Sequence, residues 1–431
     1  MANVIRRREF FRRAGAAGAL AWTAPLWADV KSPNEKLNIG VIGTANRASA
    51  NIDGVRGENI VAICDIDDNY LSSAHEQFPA AKVYHDFRKL VDHPGLDAIV
   101  VSTPDHTHAP ATMAGIERGL HVYCEKPMTH TVYEARKIAE AARAKGVATQ
   151  LGTQIHAGDN YRRVVELIRA GAIGPVREVH VWCYRAWTAG DRPTNNPPVP
   201  PNIHWDLWLG PAPERPYNPT YLPANWRSWW AFGNGTLGDM ACHHMDLSFW
   251  ALDLRYPSKV TAEGPPVSPE SAPAGLKVRY EHPAKGDRPA VVLHWYDGDM
   301  APPELMRKPG MPKWGNGTLF VGDDGMLLAD YGNHVLLPQE KFRDYKKPEP
   351  SIPSSIGHYA EWIKACKTGS PTSCNFDYSG ALTEAVLLGV VAFRSGESLD
   401  WDAQALKATN TDKADNYLRR EYRKGWAFGS L

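Results

Sequence analysis

The sequence has no CxxC pair, no internal repeat, no low-complexity tract and no long basic block beyond its first fifteen residues. Its six cysteines, Cys64, Cys124, Cys183, Cys242, Cys366 and Cys374, are scattered along the chain, which excludes a zinc ribbon and a disulfide framework. Most sit in apolar runs and read as buried thiols. Only Cys366 and Cys374 are close enough in sequence to invite a bridge in an oxidising compartment. The formal net charge is zero, so nothing recommends a nucleic-acid partner. Beyond the N-terminus no run reads as long and apolar enough to cross a bilayer. What remains, 43% hydrophobic and 22% charged over 431 residues, is globular material with room for two domains.

Residues 1–30 read as a twin-arginine export signal, because Arg7-Arg8-Glu9-Phe10-Phe11-Arg12 precedes a weakly apolar Ala/Gly stretch from Ala14 to Ala28. Cleavage near Ala28 would leave 43 basic and 47 acidic residues, a net charge of about −4, in an extracytoplasmic or periplasmic protein.

From residue 31 to 151, short β-rich runs alternate with helical patterns. Leu37 to Ile42, Asn59 to Cys64, Ala98 to Val101, Leu120 to Cys124 and Val147 to Leu151 are the expected strands, and Val132 to Ala144 a helix between the last two. Such alternation implies a Rossmann-type, doubly wound parallel sheet. From 152 to 400 the strands lengthen, as at Val176 to Tyr184 and Ala290 to Tyr296, and Pro-rich connections separate them. An α+β domain with a large, mostly antiparallel open sheet is expected there. Residues 401–431 read as a C-terminal tail. Gly190 to Arg227 holds ten prolines and several tryptophans, too apolar for a linker and too proline-rich for a helix, so it is expected to pack as an ordered loop over a site.

Gly40-Val41-Ile42-Gly43-Thr44-Ala45-Asn46-Arg47-Ala48 stands where a glycine-rich turn would present amides to a pyrophosphate. Only Gly43 survives of the usual three turn glycines; Ala45 and Ala48 replace the others and are expected to crowd the turn. Asp65, 22 residues beyond Gly43 at the end of the second strand, is placed to accept hydrogen bonds from ribose hydroxyls and to repel a 2′-phosphate. NAD is therefore favoured over NADP.

Glu125-Lys126-Pro127 follows the strand Leu120 to Cys124, and so sets a lysine at the carboxyl edge where open α/β sheets bind ligands. An ammonium there can polarise a hydroxyl or carbonyl. Thr103-Pro104-Asp105-His106-Thr107-His108 lies at the same edge, opening a helix; His106 and His108 suit capping and packing better than metal ligation. In the second domain Asp239, His243 and Asp246 fall at i, i+4 and i+7 of an expected helix and share one face. A carboxylate one turn from an imidazole suits a general base. The same spacing also fits a metal site completed by His244, or a polar helix start.

These motifs, in this order and spacing, resemble the glucose–fructose oxidoreductase and inositol dehydrogenase (Gfo/Idh/MocA) family over nearly the whole chain after residue 30. The resemblance implies a catalytic group of Lys126, Asp239 and His243, with Glu125 near the nicotinamide ribose and no metal. Cofactor contacts are then expected from Gly43, Thr44, Ala45, Asn46, Arg47, Asp65, Thr103, Pro104, His108, Glu125 and Lys126. It also implies a homo-oligomer, a dimer or tetramer.

Eight of the fifteen tryptophans fall between Trp182 and Trp250, and flat apolar rings suit sugar faces, although any single one is better explained as core. Gln154, His156, Tyr161, Arg162, Arg227 and His244 are the expected substrate contacts. The expected activity is oxidation of a secondary alcohol of a sugar, polyol or glycoside. Outside the cytoplasm a released NADH would not be replaced, so the cofactor is expected to be held tightly and recycled in place. A redox-neutral, NAD-dependent glycosidase meets the same condition; a metal-assisted keto-sugar lyase or hydrolase and a non-catalytic carbohydrate-binding protein are further alternatives.

Overall fold

The computed structural model describes residues 35–429; the expected export signal lies outside them. Strands β1 (Asn38–Ile42), β2 (Asn59–Cys64), β3 (Lys82–Tyr84), β4 (Ala98–Val101), β5 (His121–Cys124) and β6 (Thr149–Leu151) form one sheet in the order β3-β2-β1-β4-β5-β6. All its pairings are parallel. β4 is buried at every residue, as a run of Ala-Ile-Val-Val covered by helices on both faces must be. The order reverses direction between β1 and β4, and the crevice at their carboxyl ends is the ligand position of such sheets. The helix Val132–Lys145 starts with a reciprocal Thr131/Glu134 capping box and stops at Gly146 with φ +65°.

The second sheet has nine strands, in the order β13-β12-β11-β7-β10-β9-β8-β14-β15. They are β7 (Val176–Cys183), β8 (Lys259–Glu263), β9 (Lys277–His282), β10 (Val291–Asp297), β11 (Asn316–Gly322), β12 (Gly325–Ala329), β13 (His334–Leu337), β14 (Leu399–Asp402) and β15 (Lys407–Ala408). Only β7 and β10 run parallel; the remaining pairings are antiparallel. The mostly antiparallel sheet expected from the sequence is therefore present, with one parallel pair at its centre.

The helix Phe376–Ser395 joins the two halves. It is long and apolar enough to span a bilayer, with a mean hydropathy of 1.4, contrary to the reading of the bare sequence. It is instead 89% buried inside the protein. At Gly380 a Cβ would press on Ala139 of the helix Val132–Lys145, and at Gly389 it would lie 2.4 Å from the Tyr280 hydroxyl on β9. Small residues thus let this one helix lie close to both domains.

Residues 401–429 pack onto the rest of the fold. β14 and β15 extend the second sheet, and Trp426 returns to the first domain, packing on Phe87 at 5.8 Å and under the Arg88 guanidinium at 4.2 Å. All six cysteines are free and buried, so Cys366 and Cys374 are not bridged.

Candidate active site

A cavity of about 520 Å3 opens along the carboxyl ends of β1, β2 and β4. Gly43, Thr44, Ala45, Asn46, Arg47, Asp65, Thr103 and Pro104 all line it. Gly43 is required: its φ is +87°, and a Cβ would stand 2.7 Å from the Ser102 carbonyl oxygen. The crowding expected at Ala45 and Ala48 does not arise, because the second glycine-like conformation falls on Asn46, at φ 55° and ψ −116°. Ala48 is instead buried under its helix, and the amides opening Arg47–Val55 have no side-chain cap. Asp65 Oδ2 accepts from the Thr44 amide at 2.8 Å and the Thr44 hydroxyl at 2.9 Å; Oδ1 takes only the Asp67 amide and keeps acceptor capacity. Burial raises the Asp65 pKa and the Thr44 bonds oppose that rise. A glycine turn that excludes a side chain, uncapped amides and a carboxylate on one cavity wall fit a dinucleotide.

The Pro/Trp-rich segment is the roof of this cavity. Ile203 forms a bridge with Asp67, the Asp68 amide donates to the Asn202 carbonyl at 2.9 Å, and the His204 amide donates to the Ile66 carbonyl at 2.9 Å. His204 also stacks on His85 at 4.0 Å. The strap holds its shape through a core of its own, in which Trp208, Trp226 and Trp229 pack with Tyr221 and Phe232. Half of the eight tryptophans that suggested a sugar platform, these three and Trp205, are spent there.

Arg227 and Arg47 connect the cavity to the reaction centre. Lys126, beside a cis bond to Pro127, donates from Nζ to both Oδ1 and the carbonyl oxygen of Asp239 at 2.7 Å. Arg227 Nε donates to the same Oδ1 at 2.9 Å, and Trp187 Nε1 to Oδ2 at 2.6 Å. Burial opposes ionisation of Asp239, yet the Lys126 and Arg227 charges overcome it and hold the carboxyl well below the usual range. Asp239 is therefore a permanent anion anchoring the lysine.

The expected Asp239–His243 contact is absent. Both residues lie on the helix Gly235–His244, but the carboxylate is claimed by three donors from other segments, and His243 Nδ1 has no partner. Burial pushes the His243 pKa well down, and the Lys126 ammonium pushes it further, so the ring is a neutral proton acceptor. Asp246 does not share the face either. The helix breaks at Met245, and Asp246 turns into the core to bond His156 Nδ1 at 2.9 Å and the Tyr378 hydroxyl at 2.7 Å.

Glu125 Oε1 accepts from Arg47 Nε at 3.0 Å and Gln154 Nε2 at 2.8 Å, so Gln154 orients that carboxylate. His108 lies between the carbonyls of Thr103 and Pro127, each 2.7 Å from a ring nitrogen, and its single N–H, the ring being neutral through burial, donates to one of them. Of the six expected substrate contacts, Arg227 bonds the carboxylate that holds Lys126. His156, Tyr161, Arg162 and His244 are each buried and bonded to protein: Tyr161 donates to the His243 carbonyl, Arg162 to the Pro353 carbonyl, and His244 Nε2 meets the Tyr331 hydroxyl. The metal alternative built on Asp239, His243 and His244 has no geometric support. Among the described residues the side-chain groups close enough for an ion are Asp68/His85/His204 at the strap and the buried His156/Asp246/Cys374.

Asp105 is the residue that sequence reasoning missed. It opens the helix Asp105–Glu117 and is 2% exposed, with Oδ2 unpartnered. Burial pushes its pKa up to about 8; Asp239 adds to the rise while Arg227 and Lys126 oppose it, so it lies within the same charge cluster. Its place beside the two histidines in Thr103 to His108 was the available signal, but an aspartate at a helix start reads first as a cap.

Residues 37–153 match the family profile described as "Oxidoreductase family, NAD-binding Rossmann fold", and residues 166–303 match "Oxidoreductase family, C-terminal alpha/beta domain", both of the Gfo/Idh/MocA group. The two matches together take in more than half of the sequence. The chain belongs to the Gfo/Idh/MocA oxidoreductase family. This Gfo/Idh/MocA chain is 30% identical over 146 residues to inositol 2-dehydrogenase 4 of Saccharopolyspora erythraea, covering 33% of this chain and 43% of that protein. It is 28% identical over 161 residues to inositol 2-dehydrogenase of Salmonella typhimurium, 37% and 47% of the two chains. The chain thus spans less than half the length of these curated relatives. Over its whole fold it is similar to the WlbA dehydrogenase of Bordetella pertussis, solved with NADH and UDP-GlcNAcA, at TM-score 0.60 and 17% identity, covering 84% and 98% of the two chains. It is likewise similar to levoglucosan dehydrogenase, solved with NADH and levoglucosan, at TM-score 0.56 and 17% identity over 85% and 99%.

Proposed function

We propose that this protein oxidises a secondary alcohol of a sugar, polyol or glycoside, on the strength of one observation: a buried Lys126–Asp239 pair beside a neutral His243. NAD, when bound, supplies the hydride acceptor. Lys126 donates a hydrogen bond to the reacting oxygen and stabilises its developing negative charge. His243 takes the hydroxyl proton. Arg227 and Trp187 fix Asp239, and so fix the ammonium. Relatives that act on inositol and neighbours solved with sugar ligands support this substrate class.

The strap favours a second reading. It ties a second-domain loop to residues 66–68, over the cleft that fits the dinucleotide, which supports a retained cofactor and therefore chemistry that returns the hydride at the same site. Oxidation, elimination of a glycosidic substituent and re-reduction is such a cycle. Export through a route for folded proteins, proposed from Arg7-Arg8, would load NAD beforehand. A homo-oligomer is proposed on the open second sheet and is tested by light scattering.

One experiment separates the readings. Purified protein is denatured and the released nucleotide identified by absorbance and mass; a yield far below one NAD(H) per chain defeats the retained-cofactor reading. Nitrophenyl glycosides are then added to native protein without NAD. Release of nitrophenol favours the glycosidase, and NADH accumulation with a free sugar or polyol favours the dehydrogenase.

A further inference from the structure

A second cavity, of about 620 Å3, lies between residues 130–132, the 213–234 segment, the end of the helix Phe376–Ser395 and residues 415–421. Trp230, Val132 and Leu387 give it apolar wall, and four arginines, Arg215, Arg394, Arg419 and Arg420, give it positive charge. None of these belongs to the reaction centre or the cofactor cleft.

Arg394 is the deciding residue. Its guanidinium lies against the rings of Trp230 at 5.0 Å and Tyr417 at 4.5 Å, and no hydrogen bond or ion pair engages it among the described residues. Burial lowers its pKa to about 10, with Tyr417 opposing. A half-buried cation with no counter-ion is costly, and aromatic faces satisfy only its flat sides, leaving the N–H fork free towards the cavity.

The neighbouring groups repeat the pattern. Arg420 gives Nε to Glu134 and Nη2 to the His106 carbonyl, but its buried Nη1 has no partner. Arg215 is 7% exposed; Nη1 reaches Glu270 at 3.4 Å, and Nε is buried and unpartnered. His130 makes no well-formed hydrogen bond from either ring nitrogen, with only the Gly233 carbonyl near it. The acids of the lining do not answer these donors: Glu270 is shared with Arg192 at 2.6 Å, and Asp415 and Glu421 are exposed at the rim. The cavity therefore gathers arginine donors that its own carboxylates leave partly unpaired.

We propose that this cavity binds a small organic anion, a carboxylate or phosphate ester on a sugar-sized body, with Arg394 as its principal receptor and Arg420 and Arg215 beside it. The volume suits a ligand of that size, and Trp230 offers the body an apolar face.

The test is calorimetric titration of full-length protein, carrying whatever nucleotide it holds, with glucuronate, glucose 6-phosphate, inorganic phosphate and glucose at matched ionic strength. Saturable binding of at least one anion and none of glucose is expected, and the anion that binds tells carboxylate from phosphate. Arg394→Met should weaken that binding at least tenfold, and Arg394→Lys, which keeps the charge without the fork, should lie between. Without ligand, Arg394→Met should unfold no earlier than wild type, because it removes an uncompensated cation; this keeps the test open to a folded variant. Absence of saturable binding by all three anions overturns the proposal, as does unchanged anion affinity in Arg394→Met.

Discussion

Replacing Asp239 by Asn removes one charge and leaves two cations facing each other. Lys126 and Arg227, whose side chains are 11% and 22% exposed, both point at Oδ1 from under 3 Å. Stripping one partner from a buried ion pair costs about 3–5 kcal/mol, since the survivor stays desolvated. Lys126→Met is milder, because Asp239 keeps Arg227 at 2.9 Å and Trp187 at 2.6 Å; loss of one charged hydrogen bond costs about 1.5–3 kcal/mol. In the double variant the unpaired ammonium is gone, so the two losses should fall short of additivity by about 0.5–3 kcal/mol. Urea unfolding followed by tryptophan fluorescence measures all four proteins. The folded-state pKa of Asp239 is depressed, so its contribution is present above the unfolded carboxyl's value of about 3.9 and lost as pH falls through the folded one. The gap between wild type and Asp239→Asn should therefore narrow below about pH 4. An Asp239→Asn midpoint equal to wild type at pH 7, or costs that add, would refute the anchoring role.

Lys126→Met should also lower kcat by about 10²–10³, the usual loss for one preorganised donor, while the far-UV spectrum is unchanged; wild-type turnover would remove Lys126 from the mechanism. Asp105→Asn should gain stability over wild type as pH rises from about 4 to about 8, because the raised native pKa makes the buried carboxyl a growing liability across that window; equal melting-point differences at pH 5 and pH 8 would show that Asp105 is not held protonated. Asn46→Gly should stabilise the protein by about 1 kcal/mol through relief of its positive φ, read from the urea midpoint. Asp67→Ala removes the Asn202 contact at 2.9 Å and a helix cap, so retained nucleotide should leave faster on dilution; an unchanged off-rate would mean the strap does not hold the cofactor.

Local patterns carried much of the fold. β4 begins and ends where its apolar run does, because a strand covered on both faces has no polar alternation to blur its limits; β2 also ends with its run, at Cys64. β3 escaped notice: Lys82-Val83-Tyr84 is three residues long and only partly buried. The placements of Asp65 after β2 and Lys126 after β5 were equally legible, since a parallel sheet puts every strand's carboxyl end on one edge.

Local residue patterns suffice for the doubly wound sheet, the carboxyl-edge lysine and the shared helix carrying Asp239 and His243. Helical spacing could say that those two side chains lie one turn apart; it could not say which neighbours compete for the carboxylate. Trp187, Arg227 and Lys126 reach Asp239 from segments 52, 12 and 113 residues away, and through-space charge contacts of that kind follow from packing, not from periodicity. Tertiary structure likewise gave four expected substrate residues protein partners, closed the proline-rich strap over the cofactor cleft, buried the Asp105 carboxyl so that its pKa rises, and left Arg394 without a counter-ion.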